Sequence, residues 1–502
     1  MIKPLILTLC WLSVISLGAY LRFESLSKRP FHADEATGAR ITAARMEAGD
    51  YRFDPKHYHG PLLSGLAMPL LKLRGEATWQ EMSKHTLRFQ PALAGTLLLV
   101  VPWFWRRRFG DGPMLLAAAW CATSPLLVYY SRMFIHESLL VLFGMLALLS
   151  FAGKPRYALP GIFIGLMFAT KESFAISILA WAGAACLVLL ENRNSLTRAH
   201  GVSAWLIYRK PILHSVLMAT LISVYCYSDG FRQPMGVVDA VKTFFVYETV
   251  VGHDKPFSYY FDLLVWPSHS AGLWWYGTPL VILALIAVGL SFRREACAPS
   301  LLRFIAYAAL GHFLIYSLIG YKTPWLACLP WAHVCLLGGM AVAGFSRHRL
   351  PWKIALGMLI ITGLASQIFQ TRMATGRLSS DPRNPFAYVP TRGDVEVLEK
   401  WLRELHEQHP QGGLEPIAVI GSDYWPLPWY LRDFRKIGYW REAPGELENF
   451  PLACVMPEAA DAVALQLAKS HVALPRGLRA GVPLHVFVRN DIWERWMNQK
   501  QN

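Results

Sequence analysis

Apolar runs of about 15 to 21 residues, near the length of roughly 20 needed to cross a hydrocarbon core about 30 Å thick, recur from the first residues to about position 370. They predict spans at about 4–23, 89–105, 113–129 and 138–152. The stretch 158–191 is too long for one span and is interrupted by Lys171-Glu172, which predicts a helical hairpin. Further spans are predicted at about 211–227 and 272–292, on either side of "GYKTPW" as far as "SRHRLPWK", and at about 354–370. Polar stretches at about 24–88 and 228–271 are left as large loops. Beyond 370 the period changes. A helical pattern ("GDVEVLEKWLRELHEQH") gives way to a short apolar strand ("PIAVIG"), another apolar run ("PLACVMPE"), a helix ("AADAVALQLAKS") and a strand ("PLHVFVRN"). The predicted fold class is a polytopic α-helical membrane protein of about eleven transmembrane helices over residues 1–370, with a C-terminal soluble α/β domain over 371–502.

Composition supports this and adds an orientation. Hydrophobic residues make up 54% of the 502 and charged ones only 17%, which excludes an ordinary soluble enzyme. Lys and Arg number 49 against 34 acidic residues, a formal charge of +15 that in a soluble chain would point to nucleic acid. Here the cations gather in turns between apolar runs, at Arg106-Arg107-Arg108, at Lys154 and Arg156, and at Arg293-Arg294, as cytoplasmic loops do. No nucleic-acid partner is expected. The same rule predicts an integral inner or plasma-membrane protein, surrounded by membrane lipids, with a cytoplasmic N-terminus. Both large loops and the C-terminal domain then lie on the external or periplasmic face. The 8 cysteines are scattered without metal-binding spacing. The absence of a Gly-rich phosphate loop, Walker motif or Rossmann fingerprint predicts that no nucleotide is used.

With this threading the unusual polar residues near span ends collect on one side: His32, Asp34, Glu35, His59, Arg132, Glu137, Lys171, Glu172, His253 and Lys322. Charges kept beside hydrocarbon are costly and tend to face a cavity and carry function. In "FHADEATGAR" a carboxylate beside a low-dielectric wall can take a proton from a hydroxyl, and the same Asp-Glu pair can equally cap a helix start. Arg132 with Glu137 reads either as site chemistry or as a pair within one loop, and Lys171 with Glu172 as substrate contacts or a snorkelling pair. Tyr259 and Tyr260 are candidates for stacking on a sugar or an isoprenoid.

"HADEA", "YHGPLLSG", "SPLLVYYSRMFIHES", "GLMFATKES", "HDKPFSYYFDLL", "YKTPW" and "YWPLPWYLRDF" occur in this order along nearly the whole chain. In that set the chain resembles the polytopic GT-C-fold glycosyltransferases that use a polyprenyl-phosphate-linked sugar. This group includes dolichyl-phosphate-mannose protein mannosyltransferases and lipid A aminoarabinose transferases; the chain looks most like the flippase-activity-associated membrane proteins. The resemblance implies sugar transfer from the lipid-linked donor to a protein, lipid or glycan acceptor on the external face. It also suggests an alternative, an accessory protein or translocator for lipid-linked sugars without transferase activity. It implies that Asp34 is the catalytic base or acceptor-site carboxylate, with Glu35 beside it, and that Glu137 and Arg132 are the acidic residue and preceding arginine of the second external loop. Lys171, Lys322 and His253 would lie near the lipid phosphate. Aminoarabinose transferases have a lysine where this chain has His59-Gly60, so His59 would replace that phosphate contact only when protonated. A leaving phosphate needs positive charge, which Arg132, Lys171 and Lys322 can supply; a divalent metal (Mg, Mn or Zn) on Asp34, Glu137 or His253 is the other source.

Overall fold

The computed structural model describes residues 2–152, 158–193, 198–246, 254–293, 298–343, 349–408 and 413–501. Each apolar run read as a span falls on a helix. α1 (Ile2–Phe23) leads into the first large loop, which carries α2 (Ala33–Ala48) and α3 (Leu62–Leu73). α4 (Lys84–Leu97) and α5 (Val101–Phe109) form one apolar rod through a single tight turn. α6 (Asp111–Thr123) and α7 (Pro125–Ser131) are bent by 59°. The cause is local: Pro125 has no N–H to continue the ladder, and Ser124 restarts the helix by accepting from Leu127 N. α8 (Glu137–Ala152) is followed by α9 (Leu159–Thr170) and α10 (Phe174–Glu191), two helices separated by the expected interruption at Lys171-Glu172.

α11 (Arg198–Tyr227), α12 (Met235–Val246) and α13 (Tyr259–Leu264) come next, then a small antiparallel hairpin of β1 (Ser268–Ser270) and β2 (Leu273–Trp275). That hairpin takes the first residues of the run expected as a span from 272, so α14 (Thr278–Ser291) starts later, with proline in its first turn. α15 (Pro299–Leu318), α16 (Cys328–Met340) and α17 (Leu350–Thr375) complete the bundle. Among the described residues five helices are long and apolar enough to cross a membrane, six if the bent α6–α7 pair counts as one. α8, α9, α14 and the helix around α16 are apolar but of only 10–17 residues. At 1.5 Å per residue such helices reach roughly 15–25 Å, so the expected eleven crossings include segments shorter than the hydrocarbon core. The bundle is apolar outside as well as inside: Leu5, Leu9 and Leu12 of α1 and Ile212, Leu213 and Leu217 of α11 are exposed, as lipid-facing residues are. The protein is an integral membrane protein. Lys154, Arg156 and Arg294 lie outside the described residues.

α17 runs past position 370 and is followed by α18 (Asp394–Gln408), β3 (Ile417–Ile420), α19 (Leu427–Tyr430), β4 (Ile437–Trp440), β5 (Leu452–Val455), α20 (Pro457–Leu467), β6 (His471–Arg479), β7 (Val482–Arg489) and α21 (Asn490–Gln501). The sheet order is β4-β3-β5-β7-β6, parallel at β3–β4 and β3–β5 and antiparallel at β5–β7 and β6–β7. β3 and β5 are wholly buried, as parallel strands covered on both faces must be. This region shares a core with the bundle. Tyr130 Oη donates to the Phe386 carbonyl (2.6 Å), and Tyr129 Oη to that of Ser379 (2.8 Å).

Candidate active site

The two adjacent carboxylates of the first loop have different fates. His32 caps α2: its Nδ1 accepts from Asp34 N (3.2 Å), and the Glu35 carboxylate in return accepts from His32 N (3.0 Å). Glu35 is fully buried, and its oxygens accept from Arg88 Nε and Nη2, both at 2.7 Å, and from Phe134 N at 2.9 Å. The remaining Arg88 N–H groups go to the carbonyls of Leu26, Arg29 and Pro30, so every donor on that guanidinium is used. Burial alone would push the Glu35 carboxyl up; Arg88, Arg29 and the Phe134 amide outweigh it and hold the group at about 2. Glu35, expected to work beside Asp34, is thus the anchor of the loop. Asp34 points away from this knot with its side chain 53% exposed, 3.8 Å from His32 Nδ1.

The next two loops cross-pair. Glu137 opens α8 and accepts from Lys171 Nζ at 2.7 Å, both side chains buried. Glu172 meets His59 Nδ1 at 2.9 Å, and the His59 ring stands edge-on to His136, centroids 5.0 Å apart. Neither same-loop reading holds as the main contact: Glu137 and Glu172 each reach a partner from a different loop. Gly60 makes the approach possible, because a Cβ there would come within 2.2 Å of the Ala169 carbonyl oxygen at the end of α9. Burial, with His59 and Lys171 nearby, drives the His136 imidazole well below its usual range, so it is neutral at pH 7. The Glu172 carboxyl, pushed up by burial, is brought down to about 2 by His59 and Lys171.

Tyr321 lies within electrostatic reach of these groups and of Asp34. Its phenol is raised by burial and sits within the fields of Lys171, Asp34, Glu137 and Glu172 together. The Tyr388 phenol is raised by burial, with Tyr321 and Asp34 adding to it, and its carbonyl meets His32 Nε2 at 3.0 Å. Next to Tyr321, Lys322 is buried with its ammonium on the carbonyls of Lys255 (2.9 Å) and Ile319, and no carboxylate pairs with it among the described residues.

Other expected site residues take structural positions. Arg132 donates to the Leu21 and Arg22 carbonyls (2.8 and 3.2 Å), closing the C-terminal end of α1, and burial with Arg29 and Arg88 nearby lowers it to about 10. Tyr260 is buried, its hydroxyl on the Thr323 carbonyl at 3.1 Å, whereas Tyr259 stays half-buried beside Tyr388. His253 lies outside the described residues. Of the metal candidates, Asp34 and Glu137 are described: among the described residues no group of three or more His, Cys, Asp or Glu could hold an ion, and Glu137 accepts from Lys171. Sequence reasoning passed over Arg88, His136, Tyr321 and Tyr388. Arg88 and Tyr321 had a signal, a guanidinium at the head of an apolar run and a phenol beside a loop lysine. Tyr388 had none.

No family model matches the sequence, and no curated protein does. Solved structures do. ArnT from Cupriavidus metallidurans in the apo state superposes with a TM-score of 0.62 at 15% identity, over 96% of this chain and 98% of that one. The same protein bound to undecaprenyl phosphate gives 0.61 at 13% identity, with the same coverage. The archaeal oligosaccharyltransferase AglB from Archaeoglobus fulgidus, in complex with an inhibitory peptide and a dolichol-phosphate, gives 0.54 at 15% identity, over 93% of this chain and 71% of that one. The chain has the GT-C fold of these membrane glycosyltransferases.

Proposed function

We propose that the protein is a membrane glycosyltransferase that moves a sugar from a polyprenyl-phosphate carrier to a hydroxyl-bearing acceptor (protein, lipid or glycan) at the external face, with the N-terminus cytoplasmic. The observation that carries this reading is the split between the two carboxylates: Glu35 is locked in a buried knot, while Asp34 is left exposed beside a cluster built from several loops. The likeness to structures holding undecaprenyl phosphate and dolichol-phosphate supports a lipid-phosphate donor.

In this mechanism the acceptor oxygen attacks the anomeric carbon and gives its proton to Asp34. The bond from that carbon to the phosphate oxygen breaks, and polyprenyl phosphate leaves with the electron pair. A single displacement of this kind inverts the anomeric centre. Lys322, a buried ammonium held only by carbonyls among the described residues, stabilises the departing phosphate, and the Tyr321 phenol, kept protonated by burial, donates to it. Lys171, Glu137, Glu172 and His59 hold the loops in register rather than act on substrate.

The test is turnover of purified protein with undecaprenyl-phosphate sugars and hydroxyl acceptors. Asp34→Asn is expected to lower kcat by about 10²- to 10⁴-fold. Unchanged turnover would remove Asp34 from the mechanism, and lipid scrambling without transfer would favour a translocator.

A further inference from the structure

A cavity of about 660 Å³ lies far from Asp34 in sequence, between the start of α18 and the β6–β7 hairpin. Three arginines line it, Arg392, Arg476 and Arg479, with one carboxylate, Asp394. Arg479 is committed to Asp423 at 2.8 Å. The other two have no acid partner among the described residues: Arg476 spends one N–H on the Pro475 carbonyl and lies 5.8 Å over the Trp401 ring, and the Arg392 guanidinium carries no hydrogen bond to any described residue.

The backbone that carries Arg392 is tied to the hairpin. Arg392 N donates to the Leu478 carbonyl and Ala480 N to that of Pro390, both at 3.0 Å, so the segment entering α18 is stitched to β6. A Cβ on Gly477 would come within 2.5 Å of Arg392 Cδ and 2.8 Å of Asp394 Oδ2; the missing side chain is the room that the Arg392 stem occupies. The amino end of α18 adds its partial positive charge to the same wall. Counting Asp394 and Asp423 against the three arginines leaves about one positive charge, suited to a singly charged oxyanion that a planar guanidinium can bind in two-point fashion.

We propose that this cavity binds a singly charged phosphate group, held by Arg392 and Arg476. The site stands apart from the sugar-transfer chemistry and does not depend on it. The phosphate comes either from a phosphodiester lipid headgroup or from a free phosphodiester, and two probes separate these sources.

The experiment titrates full-length protein in detergent with dimethyl phosphate and, separately, with dihexanoyl phosphatidylglycerol, followed by phosphorus NMR line broadening. Wild type is expected to bind, and Arg392→Gln and Arg476→Gln each to weaken binding at least fivefold. Arg392→Lys is expected to keep more of it, and Arg435→Gln, at an exposed position away from the cavity, to change nothing. Tighter binding of the glycerolipid than of dimethyl phosphate identifies a headgroup site; equal binding identifies a free phosphodiester site. No binding of either probe by wild type, or binding unchanged in both glutamine variants, overturns the proposal.

Discussion

Replacing Glu35 by glutamine keeps its shape and removes its charge, leaving Arg88 buried with no anion. Two routes give the same magnitude. Breaking a buried, fully hydrogen-bonded ion pair by neutralising one partner costs about 3–5 kcal/mol. Independently, a carboxyl held at about 2 instead of 4.5 contributes roughly 3 kcal/mol at neutral pH. Because the folded value is the depressed one, this contribution is complete above the unfolded value and is lost as the pH falls from about 4.5 towards 2. Thermal or denaturant unfolding of detergent-solubilised protein, followed by tryptophan fluorescence, should therefore find Glu35→Gln less stable by about 3 kcal/mol at pH 7, with the gap reduced to about half near pH 3. Asp34→Asn, one residue away but exposed, should stay within about 0.5 kcal/mol of wild type while losing turnover. A Glu35→Gln protein as stable as wild type at pH 7, or a gap that does not narrow in acid, would refute the assignment of Glu35 as an anchor.

Lys171→Met strands the Glu137 carboxylate and should cost about 3–5 kcal/mol, of which the double variant Lys171→Met/Glu137→Leu recovers a large part; unfolding of the three proteins measures it. Gly60→Ala drives a methyl into the Ala169 carbonyl and should destabilise the fold by about 1–3 kcal/mol while lowering activity, read by unfolding and turnover together. Lys322→Met should lower kcat by about 10²-fold or more without removing acceptor binding, which a comparison of kcat and acceptor KM resolves.

Helices were legible wherever lipid demands a long apolar run, and the break of the 158–191 run at Lys171 was legible because two charges cannot sit mid-membrane unmarked. The sheet was legible in part. β3, β5 and β7 stood out as apolar runs, whereas β4 and β6 did not, and both are edge strands. β6 contains Pro475 and Gly477, which read as turn residues and are tolerated because one side of an edge strand has no neighbour to bond. In the site, "HADEA" marked a loop with two carboxylates, but nothing local could tell the buried anchor from the exposed one. That distinction rests on Arg88, 53 residues from Glu35, and on the Phe134 amide, 99 residues from it. The partners of Arg132 were illegible for a related reason: its acceptors are the carbonyls that end α1, more than a hundred residues earlier, and main-chain acceptors leave no trace in a side-chain pattern.

The short strand of chain just before α2 is gripped from above. Phe31 N donates to Tyr430 Oη (2.7 Å), Thr391 Oγ1 donates to the Phe31 carbonyl (2.8 Å), and His32 Nε2 meets the Tyr388 carbonyl. Three bonds from the carboxyl-terminal third thus fix the segment that leads into α2, near the amino terminus. Whatever loosens that upper region, whether a protease nick or a partner prising at its sheet, reaches the start of α2 without touching a single residue of that helix.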